Sequence, residues 1–376
     1  MILWERRRTL LTAVSVLAAL MTLSSPVLAA KEPRKGGTLV FGRGGDSVGL
    51  DPAGRTDGES FNVTDHIFDN LVTFKPGTTE VIPALAETWD ISKDGLTYEF
   101  NLRKGVKFHD GTPFNADAVV FSFKRQMDPK HPAHNNGKPY IYFNALGLDK
   151  LIKDVKKVND NKVAFVLTKP NAPFISTLGM QAFAIVSPKA VTAKGKDFNF
   201  NPVGTGAFKF VRWDKNQRVV LKANADYWAG KPYIETLIFR AIPDNSTRLM
   251  EMMAGKLHVM DNPNANDLSV LKQKMGKKVD FAEQPGFNIG YMAMNQEKKP
   301  FDNVLVRRAI NHAINKEAII KTVYAGYARA AKNPMPPTLW GYNDKIPGYE
   351  YDVAKAKQLL KEAGMEKGFE TTLWAM

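Results

Sequence analysis

Histidines are the first residues whose spacing could do chemistry. His131 and His134 lie close enough to suggest a metal ion, with Pro132 between them and Asn135-Asn136-Gly137 after them. These neighbours favour a solvated loop over a helix face, so a loop and a structural metal site are the two interpretations, and the loop is preferred. His66 has no second imidazole or carboxylate at a suitable spacing, which favours a surface or boundary position. We predict no resident metal and no cofactor.

Catalytic groups are equally sparse. The sequence contains no H-E-x-x-H motif and no cysteine. His109-Asp110 lies among turn-forming residues without a nearby activated serine, and we interpret it as part of a tight turn. The chain is therefore predicted not to be an enzyme, and turnover of a peptide by the pure protein would contradict this.

The amino-acid composition narrows the class of protein further. The absence of cysteine excludes disulfides, thiolate metal sites and a lipid-bearing cysteine anchor. The formal net charge is +14, of which the first 29 residues contribute +2, which leaves +12. The lysines are dispersed and do not alternate with aromatic residues, which indicates a basic, soluble surface and no nucleic-acid partner.

The N-terminus has the pattern of a secretory signal. Arg6-Arg7-Arg8 forms a basic region, Thr9 to Leu23 forms an apolar one, and Val27-Leu28-Ala29 has small residues where a signal peptidase cleaves. A membrane anchor is the alternative, but the apolar run is short and interrupted by polar residues. We predict a signal peptide over residues 1–29, cleavage after Ala29, and a freely diffusing periplasmic protein.

The stretch from Ala84 to Arg125 organises the predicted fold. An Asp94-Gly95 turn separates two strands, and Leu96 to Leu102 alternates apolar and polar residues as a half-buried strand does. A helix follows, with Asn115 as its N-cap. Its inner face is predicted to contain Val119, Val120, Phe123 and Met127.

Other elements follow from periodicity. Strands are predicted at Gly37 to Phe41, Lys162 to Leu167 and Tyr233 to Ile242, and the last segment, Phe369 to Met376, is predicted to open a βαβ unit. The glycine-rich Gly42 to Asp46 has no helix directly behind it, which argues against a phosphate site.

Helices are predicted where capping residues precede apolar periodicity. One spans Asn62 to Leu71, and Phe174 begins another after a proline-rich turn. Asp244 caps a helix that ends near Gly255 and whose methionines we expect in the core. Two further predicted N-caps are Asn315 and Asp352.

Several long segments resemble one family. Residues 96–122 (LTYEFNLRKGVKFHDGTPFNADAVVFS), 201–210, 295–319 and 330–344 resemble the extracellular peptide-binding proteins of ABC importers, most of all the dipeptide-binding branch. The resemblance implies an α/β fold of the bilobal type II periplasmic binding protein class, with mixed sheets flanked by helices, an extra domain and an incomplete last lobe. A chain of 376 residues is also too long for one compact core.

The same resemblance implies a domain plan. Residues 30–68 and 200–286 would form lobe I, residues 69–199 an extra domain II, and residues 287–376 the start of lobe III. Pro202 to Phe208 would lie at the hinge region. The arginine and the aspartate that hold the two ends of a dipeptide in that branch match no residue of this sequence.

The implied function is capture of dipeptides by lobe closure and their delivery to an inner-membrane permease, by a protein that is monomeric. Longer oligopeptides or heme are the alternative cargo, and a periplasmic chaperone is a third class. The aromatic run 138–143 would face the cleft, although packing in the second lobe explains each aromatic residue equally well. The predicted ligand-binding residues are Ser47, Asp57, Ser60, Phe61, Tyr140, Tyr142, Phe143, Gly204, Thr205 and Trp374.

Overall fold

The computed structural model describes residues 33–134, 140–283, 286–339 and 341–374. The chain divides into two units, Met1–Gly36 and Gly37–Met376. Residues 33–36 form no helix or strand. The predicted signal peptide with its cleavage after Ala29, the Asn135-Asn136-Gly137 segment and residues 138–139 of the aromatic run lie outside the described residues.

The strands of the second unit are short to medium in length. They are β1 (Thr38–Arg43), β2 (Val72–Phe74), β3 (Val81–Pro83), β4 (Ala86–Ile91), β5 (Thr97–Leu102), β6 (Ile152–Asn159), β7 (Lys162–Leu167), β8 (Phe208–Asp214), β9 (Arg218–Ala223), β10 (Thr236–Ala241) and β11 (Val259–Met260). Both predicted strands at Gly37 to Phe41 and Lys162 to Leu167 are confirmed, as β1 and β7.

The helices alternate with these strands and dominate after β11. They are α1 (Gly58–Ile67), α2 (Ala116–Met127), α3 (Ile141–Ala145), α4 (Leu148–Leu151), α5 (Phe174–Leu178), α6 (Pro188–Lys194), α7 (Asn245–Met253), α8 (Ala265–Met275), α9 (Val304–Ala313), α10 (Lys316–Thr322) and α11 (Val353–Glu362). Short 3-10 turns occur at Pro52–Gly54, Gln181–Phe183, Gly195–Asn199 and Gly276–Lys278.

Three sheets organise the described residues. The five-stranded sheet has the order β11-β1-β10-β9-β8, the four-stranded sheet has the order β4-β5-β7-β6, and β2 pairs with β3. In the five-stranded sheet, β1 is parallel to β10 and β11, while β9 is antiparallel to both β10 and β8. Strands β1, β8, β10 and β11 therefore all run in one direction.

The predicted hairpin is confirmed as β4 and β5. Trp89 pairs with Phe100 across it, and Gly95 in the turn has φ +69°, a left-handed conformation that favours glycine. Tyr98, Phe100 and Leu102 are buried, while the residues between them are partly exposed. The period of two thus places one face of the strand in the core.

The helix that follows is also confirmed. The Asn115 side chain accepts a hydrogen bond from the Ala118 backbone N–H (3.2 Å) at the start of α2. On its inner face, the Phe123 ring meets the Phe165 ring of β7 edge to face, with centroids 4.8 Å apart. A local cap and one aromatic anchor fix this helix on the four-stranded sheet.

One continuous hydrophobic core connects the two large sheets. It includes Phe100 and Phe165 from the four-stranded sheet and Leu221, Leu237 and Phe239 from the five-stranded sheet. The predicted boundaries of lobe I and domain II fall where the chain passes between these sheets. They stay a prediction.

Two predicted elements have different bounds. The helix predicted at Asn62 to Leu71 instead spans Gly58–Ile67, because Asp57 is its N-cap and accepts a hydrogen bond from the Ser60 N–H. The strand predicted at Tyr233 to Ile242 begins only at Thr236, where pairing with β1 begins at Thr38.

Two further predictions are wrong. Residues 369–374 form no strand in the described chain, and residues 375–376 lie outside it. The methionines of α7 are not core filler, because Met250 is exposed and Arg248 is the buried residue of that helix. Its Asp244 cap is confirmed.

Among the described residues, no helix is long and apolar enough to cross a membrane.

Candidate ligand-binding site

The strand direction in the five-stranded sheet creates one polar edge. Because β1, β10 and β11 are parallel, their carboxyl ends lie together, and the loop of residues 44–57 leaves β1 there. In open α/β sheets, ligands bind outside the carboxyl ends of the strands. We therefore build the candidate site from this loop, called the edge loop below.

Arg43, the last residue of β1, anchors the start of the edge loop. Its guanidinium is fully buried, donates to the Ser47 hydroxyl (3.0 Å) and to the Glu59 carbonyl, and lies 3.4 Å from an Asp46 carboxylate oxygen. Burial lowers the pKa of Arg43, and the Glu59 and Asp46 carboxylates oppose that shift. A buried cation with several acceptors makes this turn rigid.

Asp46 ties the edge loop to the β8–β9 hairpin. Its carboxylate accepts from the Trp213 Nε1–H (2.9 and 3.1 Å to the two oxygens) and from the Asn216 backbone N–H (2.8 Å). Asn216 has φ +59°, which asparagine tolerates better than most residues. One side chain thus connects two loops at the same edge of the sheet.

The end of the edge loop is held by an ion pair with α2. Arg125 is fully buried, and its two terminal nitrogens donate to the two Asp51 carboxylate oxygens (2.9 and 2.8 Å). The Leu50 N–H donates to the Asn199 carbonyl (2.9 Å). Bidentate pairing fixes orientation as well as distance, so the loop is ordered from both sides.

The start of α1 completes the edge. The Asp57 carboxylate accepts from the Ser60 N–H (2.8 Å), and the buried Ser60 hydroxyl accepts from the Val48 N–H (3.0 Å) and the Gly49 N–H (3.3 Å). The structure therefore brings Ser47, Asp57 and Ser60 together. All three support the backbone of the edge loop, and their predicted role in ligand binding stays a prediction.

Gly45-Asp46-Ser47-Val48-Gly49 matches the G-x-S-x-G pattern of hydrolases, which the sequence analysis missed. In the structure, the Ser47 hydroxyl is buried, receives a hydrogen bond from Arg43 and donates to the Glu59 carbonyl (3.1 Å). A guanidinium and a carbonyl cannot act as the general base that a nucleophilic serine needs. The pattern here stabilises a loop.

Two buried carboxylate oxygens at the edge, Glu59 Oε2 and Asp261 Oδ1, accept no hydrogen bond from the described residues. Glu59 Oε2 nevertheless forms an ion pair with Arg43 (3.6 Å to Nη1). Burial raises the pKa of Glu59, which the Arg43 charge opposes, and burial likewise raises the pKa of Asp261. Arg248 lies near both charges. The edge therefore places two carboxylates beside the buried guanidiniums of Arg43 and Arg248.

The predicted aromatic residues separate into two groups. Phe61 and Tyr142 are half-buried and stack with ring centroids 6.2 Å apart. Tyr140 and Phe143 are fully buried. Packing accounts for the positions of Tyr140 and Phe143, whereas Phe61 and Tyr142 retain an accessible surface beside the start of α1.

Gly204 and Thr205 lie where the chain returns to the five-stranded sheet. The Gly206 N–H donates to the Ile67 carbonyl (2.9 Å), and a Cβ at Gly204 would collide with that same carbonyl. The Thr205 hydroxyl donates to the Asp69 carboxylate (2.6 Å). These residues hold two crossing segments together. Trp374, in contrast, is almost completely exposed and lies in a segment without regular structure.

Asp69 was not identified from the sequence. Besides Thr205, it accepts from the Tyr227 hydroxyl (2.9 Å) and the Trp228 Nε1–H (3.1 Å). Burial raises the pKa of Asp69, and the three donors oppose the shift. Its sequence separation from Tyr227 and Trp228 left no local signal.

The His109 turn was identified, but its contacts were not. The His109 N–H donates to the Gly204 carbonyl (2.9 Å), and the ring Nε2–H donates to the Gly206 carbonyl (2.9 Å). Burial lowers the pKa of His109 to about 4. A neutral imidazole therefore holds the returning segment, in addition to the Ile67 carbonyl.

The described residues show no cluster of three or more metal-ligating side chains. The His131 Nδ1 accepts from the Ala133 N–H (3.1 Å), and the His134 Nδ1–H donates to the Arg125 carbonyl (2.8 Å). The His131 ring meets Phe121 edge to face and the His134 ring meets Tyr140 in the same way. Both imidazoles therefore have structural contacts.

The fold is that of an extracellular solute-binding protein. Residues 80–375 match the model of bacterial extracellular solute-binding proteins, family 5, and the chain belongs to this family. The predicted α/β fold class and the predicted family are confirmed.

The chain is similar to proteins with named ligands. It is 47% identical to the dipeptide-binding protein of Escherichia coli over 352 residues, which cover 90% of this chain and 65% of that protein. It is 45% identical to heme-binding protein A of Haemophilus influenzae, covering 90% of this chain and 64% of that protein. The chain thus spans about two thirds of the length of these relatives.

Two solved structures are similar to this chain along most of its length. The periplasmic binding protein DppA of Helicobacter pylori, in complex with the peptide STSA, has a TM-score of 0.81 and 43% identity, covering 89% of this chain and 67% of that one. The dipeptide-binding protein of a Pseudoalteromonas species, in complex with Met-Leu, has a TM-score of 0.81 and 34% identity, covering 88% of this chain and 68% of that one.

Proposed function

We propose that this protein captures dipeptides in the periplasm and delivers them to an inner-membrane permease of an ABC importer. The observation that supports this most is the similarity to dipeptide-binding proteins across nine tenths of the chain. The ordered edge loop, with Phe61 and Tyr142 beside it, supplies a rigid wall against which a closing lobe could bury a short ligand.

The charge pattern fits such a cargo. A dipeptide has one ammonium and one carboxylate, and the edge combines the carboxylates of Glu59 and Asp261 with the guanidiniums of Arg43 and Arg248. A buried polar terminus without a partner costs on the order of 3 kcal/mol, so matching both ends selects for length. Backbone groups would bind the peptide irrespective of its side chains.

Isothermal titration of the periplasmic protein with the dipeptide alanyl-phenylalanine tests this function. We expect saturable one-to-one binding, and we expect Phe61→Ala to weaken it about tenfold. Phe121→Ala is the matched control, since Phe121 is also a half-buried phenylalanine but contacts His131, and it should stay within twofold. Absence of dipeptide binding by the unmodified protein would refute the proposal.

Heme is the second candidate cargo, because one similar protein is named for it. Adding heme to the same protein and recording its Soret absorption separates the two ligands. Saturable heme binding that excludes alanyl-phenylalanine would favour heme. A hexapeptide in the same titration distinguishes dipeptides from longer oligopeptides.

The N-terminal signal is part of the same proposal. If residues 1–29 are a cleaved signal peptide, the protein isolated from the periplasm begins at Ala30. N-terminal sequencing or intact mass measurement decides this. A mature protein that retains Arg6-Arg7-Arg8 would contradict the cleavage.

A further inference from the structure

A groove lies beside the outer strand of the five-stranded sheet. Strand β8 is the last strand in the sheet order. A cavity of about 330 Å³ is formed there by Phe200, Asn201, Phe210, Val211, Arg212, Trp213 and Lys215. This volume is within the range of ligand pockets, roughly 300 to 1,000 Å³. We call it the β8 groove.

The β8 groove has an apolar floor that faces solvent. Phe200 is 37% exposed and Val211 is 49% exposed. The Phe200 and Trp213 ring centroids are 5.7 Å apart, and the Lys215 ammonium lies 4.5 Å from the Phe200 centroid. Aromatic side chains with a nearby cation are typical of protein-binding hot spots.

Two residues that line the groove, Arg212 and Lys215, are cationic, and the hairpin that contains them is rich in positive charge. The β8–β9 hairpin has one carboxylate, Asp214, and five cationic side chains: Lys209, Arg212, Lys215, Arg218 and Lys222. Asp214 is paired with Arg212 (3.2 Å) and Arg218 (2.8 Å). The excess of positive charge selects an acidic partner.

These charges argue against a second copy of this chain as the partner. Edge-to-edge pairing of two β8 strands would bring lysines and arginines of both copies together. The register of β8 also shifts between Phe210 and Arg212, so Val211 lies at an irregularity that interrupts the strand edge. A side chain inserted into the groove fits this geometry better than an added strand does.

The groove is mechanically connected to the candidate ligand site. Strand β8 runs parallel to β1 and β10, so its carboxyl end lies at the same edge of the sheet. Trp213, which lines the groove, donates to Asp46 of the edge loop, and so does the backbone of Asn216. A partner in the groove would therefore contact residues whose positions depend on the edge loop.

We propose that the β8 groove is a docking surface for an acidic periplasmic loop of the permease, which places one apolar side chain over Phe200 and Val211 and carboxylates against Lys215 and Arg212. The inference rests on the proposed transport function and specifies the partner's contact. Trp213 and Asp46 connect this docking surface to the edge loop.

A charge-reversal pair tests the docking surface. Val211→Glu with Lys215→Glu places negative charge in the groove, and its matched control is Val158→Glu with Lys153→Glu on β6, where Val158 is 50% exposed. Binding to the cognate permease in lipid nanodiscs is measured by biolayer interferometry at low and physiological salt. Affinity for alanyl-phenylalanine is measured separately by titration.

We expect the groove variant to bind the permease at least tenfold more weakly, with dipeptide affinity within twofold of the unmodified protein. The control variant should stay within twofold in both measurements, and added salt should weaken the unmodified complex. Equal permease binding by all three proteins overturns the inference. So does an equal loss in both variants, a loss of dipeptide affinity in the groove variant, or no permease binding by the unmodified protein. If the unmodified protein binds the permease but does not bind the dipeptide, the proposed cargo is refuted and the docking surface stays supported.

Discussion

The part of the molecule up to β11 and the part from residue 286 to residue 374 cover their apolar side chains very differently. In the first part, Phe100, Phe165 and Phe239 belong to one extended core and are fully buried. In the second part, the buried cluster consists of Ala309, Ala356 and Leu359, from α9 and α11.

Exposed apolar residues accumulate in the second part. Tyr291 is 83%, Leu373 74% and Trp374 89% exposed, and α10 has no fully buried residue. The described residues supply no cover for these side chains.

The helices of the second part nevertheless have well-formed ends. Asn303, Asn315 and Asp352 each cap a helix with the side chain. Capping depends on residues two or three positions apart, whereas burial depends on distant elements. The contrast shows that local sequence specifies these helices independently of the amount of core around them.

The largest expected effect comes from truncating a core residue in each part. Phe165→Ala should lower the free energy of unfolding by about 3 to 5 kcal/mol, because its ring contacts Phe100, Phe123 and Phe174. Leu359→Ala should lower the free energy of global unfolding by at most about 1 kcal/mol, since its cluster is small. Urea denaturation of both variants checks this. Equal losses would mean that the two parts are packed alike.

Glycine substitutions sharpen the same contrast. Gly204→Ala should cost about 3 kcal/mol or more, because the new Cβ meets the Ile67 backbone, which cannot move without disturbing α1. Gly290→Ala is the matched control in the second part, where the nearest atom to such a Cβ is the Tyr324 hydroxyl at 3.8 Å. Its thermal midpoint should be unchanged. A stable Gly204→Ala variant would show that the crossing segments are loosely packed.

His109 is a buried titratable residue of the well-packed part. Because burial lowers the pKa of His109 to about 4 from the ordinary 6.5, the folded state binds fewer protons than the unfolded state between these values. Stability from His109 is complete above pH 6.5 and falls as the pH decreases to 4, by on the order of 3 kcal/mol.

His109→Gln tests this dependence, since glutamine can still donate to the Gly206 carbonyl but does not titrate. The free energy of unfolding is measured from pH 7 to pH 4. The variant should lose less stability than the unmodified protein across this interval. Parallel curves for the two proteins would exclude His109 as the source.

The predictable features of this fold are local. The caps Asn115, Asp244, Asn315 and Asp352 were predicted and are confirmed, because each cap precedes its bonded N–H by three positions. The β4–β5 hairpin was predicted because its turn and alternation lie within one short segment. The strand predicted over Phe369 to Met376 is not formed in its described part, residues 369–374, because a strand requires a pairing partner, which no local pattern supplies.

The candidate site was less predictable for the same reason. Ser47, Asp57 and Ser60 were named through the family resemblance, and the structure brings them together. The groups that hold the edge loop were missed. Arg43 is only four residues from Ser47, whereas Trp213 and Arg125 come from distant segments and bond Asp46 and Asp51. Trp213 lies 167 residues from Asp46, and Arg125 lies 74 residues from Asp51, so no spacing rule connects them.

The smallest expected effect is also the one that should be equal in both parts. Asn115→Ala removes the cap of α2, and Asp352→Ala removes the cap of α11. Each should destabilise its helix by about 1 kcal/mol, because each removes a hydrogen bond from the backbone N–H three residues later to the capping side chain. Asn115→Asp and Asp352→Asn keep a capping oxygen and should restore most of the loss.

The two parts differ in the measurement that detects the loss of a cap. Loss of the Asn115 cap should lower the free energy of global unfolding, since α2 is anchored to the four-stranded sheet through Phe123. Loss of the Asp352 cap should instead speed hydrogen exchange in α11 with little change in global unfolding, because few buried contacts couple that helix to the rest. If Asp352→Ala lowers global stability as much as Asn115→Ala does, α11 unfolds together with the main core, and its small buried cluster understates the coupling.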